Sequence, residues 1–150
     1  MNIVLHLREN TVYIPTSRQI PGSYYCITEP VQVAPASNID AVIKAFERAI
    51  SIGNPPITEQ EAVAAPSWVT QARTGVKSWR AFERATLTWS LNTDPKTGEY
   101  GMDPYDPLKG GGWAPGRVPV FTLPADTPMS EIVRRAAEVV CDTAKRQSQP

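Results

Sequence analysis

The chain is 150 residues long, 41% apolar, and carries fifteen acids against fifteen bases, for a formal net charge of zero. That length suits one domain able to bury roughly 70% of its unfolded surface, and the apolar share excludes a disordered chain. Neutrality argues against general affinity for nucleic acid, which depends on neutralising phosphate, and no apolar run approaches the ~20 residues of a membrane span.

Ile3, Leu5 and Leu7 alternate with Val4, His6 and Arg8, the period of a half-buried strand. Val12 and Ile14 follow the polar Glu9-Asn10-Thr11, which predicts a β-hairpin whose second strand closes at Pro15. His6 and Arg8 interrupt the apolar N-terminal run, so it does not read as a secretory signal, and a cytosolic location is expected. Residues 23–33 form the next strand, with Pro30 forcing a bulge or an edge position because it cannot donate to a ladder. The spacing of Ile39, Val42, Ile43, Phe46, Ala49 and Ile50 predicts a helix to Ile52, capped by Ser37 or Asn38 and ended by Gly53 and Asn54-Pro55-Pro56. Residues 57–75 read as a connection. Within it Thr58 and Glu61 make a capping box, Pro66 is a break, and Trp68, Val69 and Ala72 suggest a helical turn.

From Val76 to Leu91 the chain reads VKSWRAFERATLTWSL and changes period part-way. Trp79 and Phe82 share one face of a helical turn, after which Leu87, Trp89 and Leu91 alternate with Thr86, Thr88 and Ser90 as a strand. Residues 92–98 are dense in turn formers and lead to a partner strand at Tyr100–Met102. Glycine and proline make residues 103–116 a loop, and Val118, Val120 and Phe121 a last strand. Thr127 as cap and Pro128 as first residue open a final helix, with its stripe on Met129, Ile132, Val133, Ala136, Val139 and Val140 and with Lys145 and Arg146 at its negative end. The sum is one α+β domain over residues 1–150: a mixed or antiparallel sheet of about six short strands packed with two main helices and short helical turns.

The residues offer little catalytic chemistry. His6 is the only histidine and has no predicted metal-ligand cluster; Cys26 and Cys141 lie far apart and read as free thiols. Lys109 to Trp113 lacks the P-loop pattern, and there is no nucleophile elbow. Lys77, Arg80 and Arg84 near Trp79 and Trp89 admit base stacking, but the plainer reading is core tryptophans with cations reaching outward. Asp94, Glu99, Asp103 and Asp106, opposed only by Lys96, fit no calcium loop and read first as a solvated acidic loop. Tyr100, Tyr105 and Trp113 are interleaved with them, so the next reading is a partner-binding surface. No catalytic, cofactor-binding or metal-ligating residue is expected.

Four segments occur in order: LHLRENTVYIPT, the PVQV strand at Pro30, IGNPPI after the first helix, and KSWRAFER. With the helix after Leu123-Pro124, this arrangement resembles small bacterial immunity proteins of contact-dependent growth inhibition systems. The resemblance covers most of the chain, and its motifs are structural. It implies a cofactor-free, monomeric, cytosolic inhibitor that binds a toxin C-terminal domain, often a nuclease, and covers its active site or substrate surface. Lys77, Ser78, Trp79, Phe82, Glu83 and Arg84 carry the likeness and serve mainly the fold. The toxin-facing surface is then expected at Asp94, Glu99, Tyr100, Asp103, Tyr105, Asp106 and Trp113. Against this stand a small enzyme of nucleic acid or nucleotides, using His6 with nearby carboxylates, and an assembly protein. A cleft gathering His6 and acids would mark the first rival, and a self-complementary apolar patch the second.

Overall fold

The structure, a computed structural model, describes residues 1–65, 69–109 and 112–149. In chain order it comprises β1 (Asn2–Arg8), β2 (Thr11–Gln19), β3 (Tyr25–Pro35), α1 (Ile39–Ile52), α2 (Glu59–Ala64), α3 (Val69–Thr74), α4 (Trp79–Arg84), β4 (Leu87–Thr93), β5 (Tyr100–Pro107), β6 (Trp113–Pro115), β7 (Phe121–Leu123) and α5 (Met129–Gln147). The strands form one sheet in the order β3-β2-β1-β4-β5-β6, and every pairing between them is antiparallel. β6 and β7 share the outer edge of β5, the first beside residues 105–107 and the second beside residues 100–102. The fold is α+β.

Because strand side chains alternate, β1 commits Ile3, Leu5 and Leu7 to one face. Trp89 and Leu91 of β4 and Met102 of β5 join them by register. α1 and α5 cover this face with Val42, Ala45, Phe46 and Ala49 from one helix and Ile132, Val133, Ala136, Val140 and Ala144 from the other. Leu5, Leu7 and Phe46 have no exposed surface, and each such side chain stabilises the fold by roughly 1.5–3 kcal/mol. Asn38 caps α1 by accepting from Ala41 N–H at 3.1 Å, and Gly53 ends it at φ +70°, a conformation glycine adopts without strain. The Thr58–Glu61 capping box opens α2 as expected. The expected break at Pro66 and the place of Trp68 lie outside the described residues.

Three sequence expectations are corrected. Pro15 does not close β2, which runs on to Gln19: β1 has already parted from β2 there, so the missing N–H interrupts no ladder on that side. The irregularity falls opposite, where β3 inserts Glu29 and Pro30 between residues paired to Pro15 and Thr16. β3 is the edge strand, and its bulge presents Glu29 to a bidentate pair with Arg73 of α3, with nitrogen–oxygen distances of 3.1 and 2.9 Å. Residues 103–116 are not one loop, since β5 extends to Pro107 and β6 follows. Prolines masked that strand, yet Pro104 serves it through its carbonyl, which accepts from Gly116 N–H at 2.7 Å. A Cβ on Gly116 would stand 2.7 Å from Pro104 Cγ, so only glycine permits this approach. Thr127 does not cap α5: the helix starts one residue late, at Met129, with Pro128 in the cap position and no side-chain cap.

Where β1 and β2 part, Asn54 fills the gap. Its Oδ1 accepts from Asn2 N–H at 2.8 Å, and its Nδ2 donates to the carbonyls of Asn2 at 2.6 Å and Ser17 at 2.9 Å. The following residues hold the end of β2: Gln19 N–H donates to Pro55 O at 3.1 Å and Ile57 N–H to Gln19 O at 3.0 Å. One side-chain amide thus replaces the missing ladder bonds. Asn54→Ala leaves those backbone groups unpaired and should cost about 1–3 kcal/mol in urea unfolding, whereas a neutral result would show that the parted strands need no bridge.

Candidate functional site

The other face of the sheet carries the alternate residues. By register, His6 lies beside Thr88 and then Tyr105, Val4 beside Ser90 and Asp103, and Asn2 beside Asn92 and Gly101. The period-two rule therefore delivers a polar strip across three strands. Its two ends have different fates.

One end is sealed. α4 lies over His6, with Ser78 capping the helix by accepting from Ala81 N–H at 3.2 Å. Trp79 and Phe82 stack at 5.3 Å between ring centroids, and Trp113 of β6 meets Trp79 edge-on at 5.0 Å. His6 contacts Phe82 at 5.4 Å and Trp113 at 5.5 Å and is only 1% exposed. Its Nδ1 lies 2.9 Å from Thr88 Oγ1, and its Nε2 has no hydrogen-bond partner among the described residues. Burial pushes its pKa from 6.5 down to about 3, so the ring is neutral. Among the described residues the imidazole is enclosed by aromatic rings and presents no surface to a cleft.

The other end is open. A groove of about 640 Å³ runs over Asn2, Ser90, Asn92 and Asp103, walled by Tyr105 and Pro115 on one side, Gln19 and Tyr25 on another, and Asp94 at the hairpin end. Asn92 Nδ2 donates to Asp103 Oδ2 at 2.7 Å and to Ser90 Oγ at 3.3 Å, which fixes the floor. Gly101 pairs with Asn92 beside this floor, where an added Cβ would meet Asn92 Oδ1 at 3.5 Å, an ordinary contact. Among the described residues Asn2 Oδ1 is buried without a partner. Amides of Asn2, Gln19 and Asn92 and the carboxylates of Asp94 and Asp103 share this surface with Met1, Tyr25 and Tyr105, and among the described residues no lysine or arginine side chain lines it.

Of the residues expected to face a partner, Asp94, Asp103 and Tyr105 come together in this groove. Asp94 also organises the hairpin turn, accepting at Oδ1 from Lys96 N–H at 2.7 Å and Thr97 N–H at 3.1 Å. Glu99 stays in that turn, accepting from Thr97 Oγ1 at 3.1 Å. Tyr100 packs against the helix-covered core, Asp106 is exposed on the alternate side of β5, and Trp113 belongs to the aromatic seal. Sequence reasoning missed Asn2, Ser90, Asn92 and Tyr25. Ser90 and Asn92 were legible as the polar half of an alternating strand, but pairing with Asn2 is a matter of register. Among the described residues, no group of three or more His, Cys, Asp or Glu could hold a metal ion, Cys26 and Cys141 are free thiols, and no helix is long and apolar enough to cross a membrane.

The chain matches no protein-family model, and no curated protein matches it in sequence. Its fold does have counterparts. A protein of unknown function from Neisseria meningitidis superposes with a TM-score of 0.65 at 14% identity, covering 95% of this chain and 93% of that one. A chain of the CdiA-CT/CdiI toxin and immunity complex from Yersinia pseudotuberculosis superposes with a TM-score of 0.62 at 14% identity, covering 95% of each. The architecture is shared across nearly the full length; at this identity, fold is what the likeness shows.

The sealed histidine has a measurable consequence. Its lowered pKa means that the unfolded chain binds a proton the native chain refuses, so its contribution to stability is complete above pH 6.5 and declines as pH falls toward about 3. The decline should approach about 1.4 kcal/mol per pH unit within that window. Denaturant titrations of the wild type and His6→Gln should give slopes that differ by this amount, and parallel slopes would place the ring in solvent.

Proposed function

We propose that this chain is an immunity protein of a contact-dependent growth inhibition system. It binds the C-terminal toxin domain in the cytoplasm, one to one, and neutralises it by covering its active site or substrate surface, with no chemistry of its own. The observation that carries this reading is the near full-length fold likeness to a chain of a toxin and immunity complex. The surface offered to the toxin is the open groove, where a concave strip of amides and carboxylates flanked by Tyr25 and Tyr105 combines shape with aromatic anchors. Asp94 and Asp103, opposed among the described lining residues only by the Met1 ammonium, suit a toxin whose own surface is cationic, as a nuclease's substrate surface is.

The test is co-expression with the toxin domain encoded beside this gene, followed by size-exclusion chromatography and a growth assay. A stoichiometric complex and restored growth are expected, and expression of this chain alone should be tolerated. Growth arrest by this chain alone would assign it to the toxin side of such a pair. Failure to form a complex or protect would remove the immunity reading. Within a complex, Asp103→Lys should weaken binding roughly tenfold or more. Asp106→Lys, on the other side of β5, tells whether contact extends past the groove; equal affinity for wild type and Asp103→Lys would exclude the groove.

A further inference from the structure

Beyond the aromatic seal from the groove, α4 presents a second surface of opposite sign. Arg80 and Arg84 stand one helical turn apart, both exposed, along a cleft of about 350 Å³. The opposite wall is the end of β5 and the turn after it, where Lys109 adds a third exposed cation. None of the three forms an ion pair among the described residues. The acid in the cleft, Glu83, does not serve them: it is 5% exposed and its Oε1 accepts from Gly112 N–H, which ties α4 to the turn before β6. Alternation sends Asp106 to the other face of β5. Leu108, 52% exposed, lines the same cleft as the cations, with Pro107 beside it in the chain.

Arg84 complements the negative end of α4, but Arg80, one turn earlier, has no such role, and like charges at this spacing weaken a six-residue helix. An anionic partner gives a reason for the pair. Three cations are too few for general nucleic-acid affinity in a neutral chain, and an exposed leucine has no use for phosphate. Trp79, the aromatic nearest these arginines in the chain, is engaged with Phe82 and Trp113 instead of offering a face for base stacking. We infer that the cleft between α4 and the end of β5 is a docking site for an acidic protein segment that carries an apolar side chain, its carboxylates pairing with Arg80, Arg84 and Lys109 and its apolar group covering Leu108. This stands on the cleft alone and is independent of the toxin reading.

The test uses the full chain, labelled with nitrogen-15 and titrated at low salt with a short peptide of glutamates and leucines. Amide shifts should centre on residues 79–84 and on Leu108 and Lys109, and fade as salt rises. The double variant R80E/R84E, judged folded by an unchanged far-UV spectrum and thermal transition, should bind roughly tenfold more weakly, while K44E on α1 should bind as wild type. No shifts at the cleft, or equal affinity in the double variant, would overturn the proposal. Equal binding of a leucine-free glutamate peptide would remove the apolar half of the site. Preference for a polyuridine oligonucleotide over the peptide would overturn a protein partner and make the cleft a phosphate-binding face.

Discussion

The two-residue period of β1, held between β2 and β4, is the constraint on which the rest of the molecule depends. With Ile3, Leu5 and Leu7 committed to α1 and α5, Val4, His6 and Arg8 have only the other face to occupy. A slip of one residue against β4 would drive an imidazole into the helix-covered core and three aliphatic side chains out of it, so the register is strongly specified. The second face must then accommodate a titratable ring with no water to solvate it. The solution is a neutral imidazole, one hydroxyl from Thr88, and three aromatic rings from α4 and β6. That arrangement explains why KSWRAFER is followed directly by β4. The short helix covers what the strand exposes.

Sealing one end leaves the other open, and the parting of β1 from β2 gives that end its shape. Two strands paired along their full length would continue a twisted surface. Here β2 departs after Tyr13, and Asn54 and the segment behind it hold the separation. Gln19 and Tyr25, at the far ends of β2 and β3, thereby become a wall standing off the floor formed by Asn2, Asn92 and Asp103. The concavity is a product of backbone divergence, and an asparagine distant in sequence maintains it. A concavity held by hydrogen bonds of the fold itself leaves less conformational entropy for a ligand to offset than a loop that must be ordered on binding.

Local periodicity made much of this legible. The β1–β2 hairpin, the stripes of α1 and α5, the Thr58–Glu61 box and the change of period at α4 all depend on neighbours within a turn or two. The start of β5 at Tyr100–Met102 was legible, but its continuation to Pro107 and β6 were hidden because prolines and glycines speak for turns locally, while their tolerance in a strand depends on which ladder bonds the sheet requires. The site was legible only in part for the same reason. Asp94, Asp103 and Tyr105 share the groove, but whether Tyr100 faces core or solvent depends on strand register, and Trp113's neighbours come from β1 and α4. A run of acids and aromatics marks a segment; it does not say which side of a sheet each residue will take.

Formal neutrality conceals a local separation of charge. Among the described residues the groove carries two carboxylates and no lysine or arginine side chain, and the cleft at α4 carries three cations and one acid, Glu83, that is turned inward. Both open from regions flanking the same aromatic cluster, so fields of opposite sign stand on either side of a rigid, uncharged centre. Net charge predicts solubility and non-specific attraction, and by that measure the chain is unremarkable. Discrimination between partners depends instead on how charge is laid out. A partner of uniform sign gains at one of these surfaces and is repelled at the other, which is how a neutral protein can be selective without being strongly attractive.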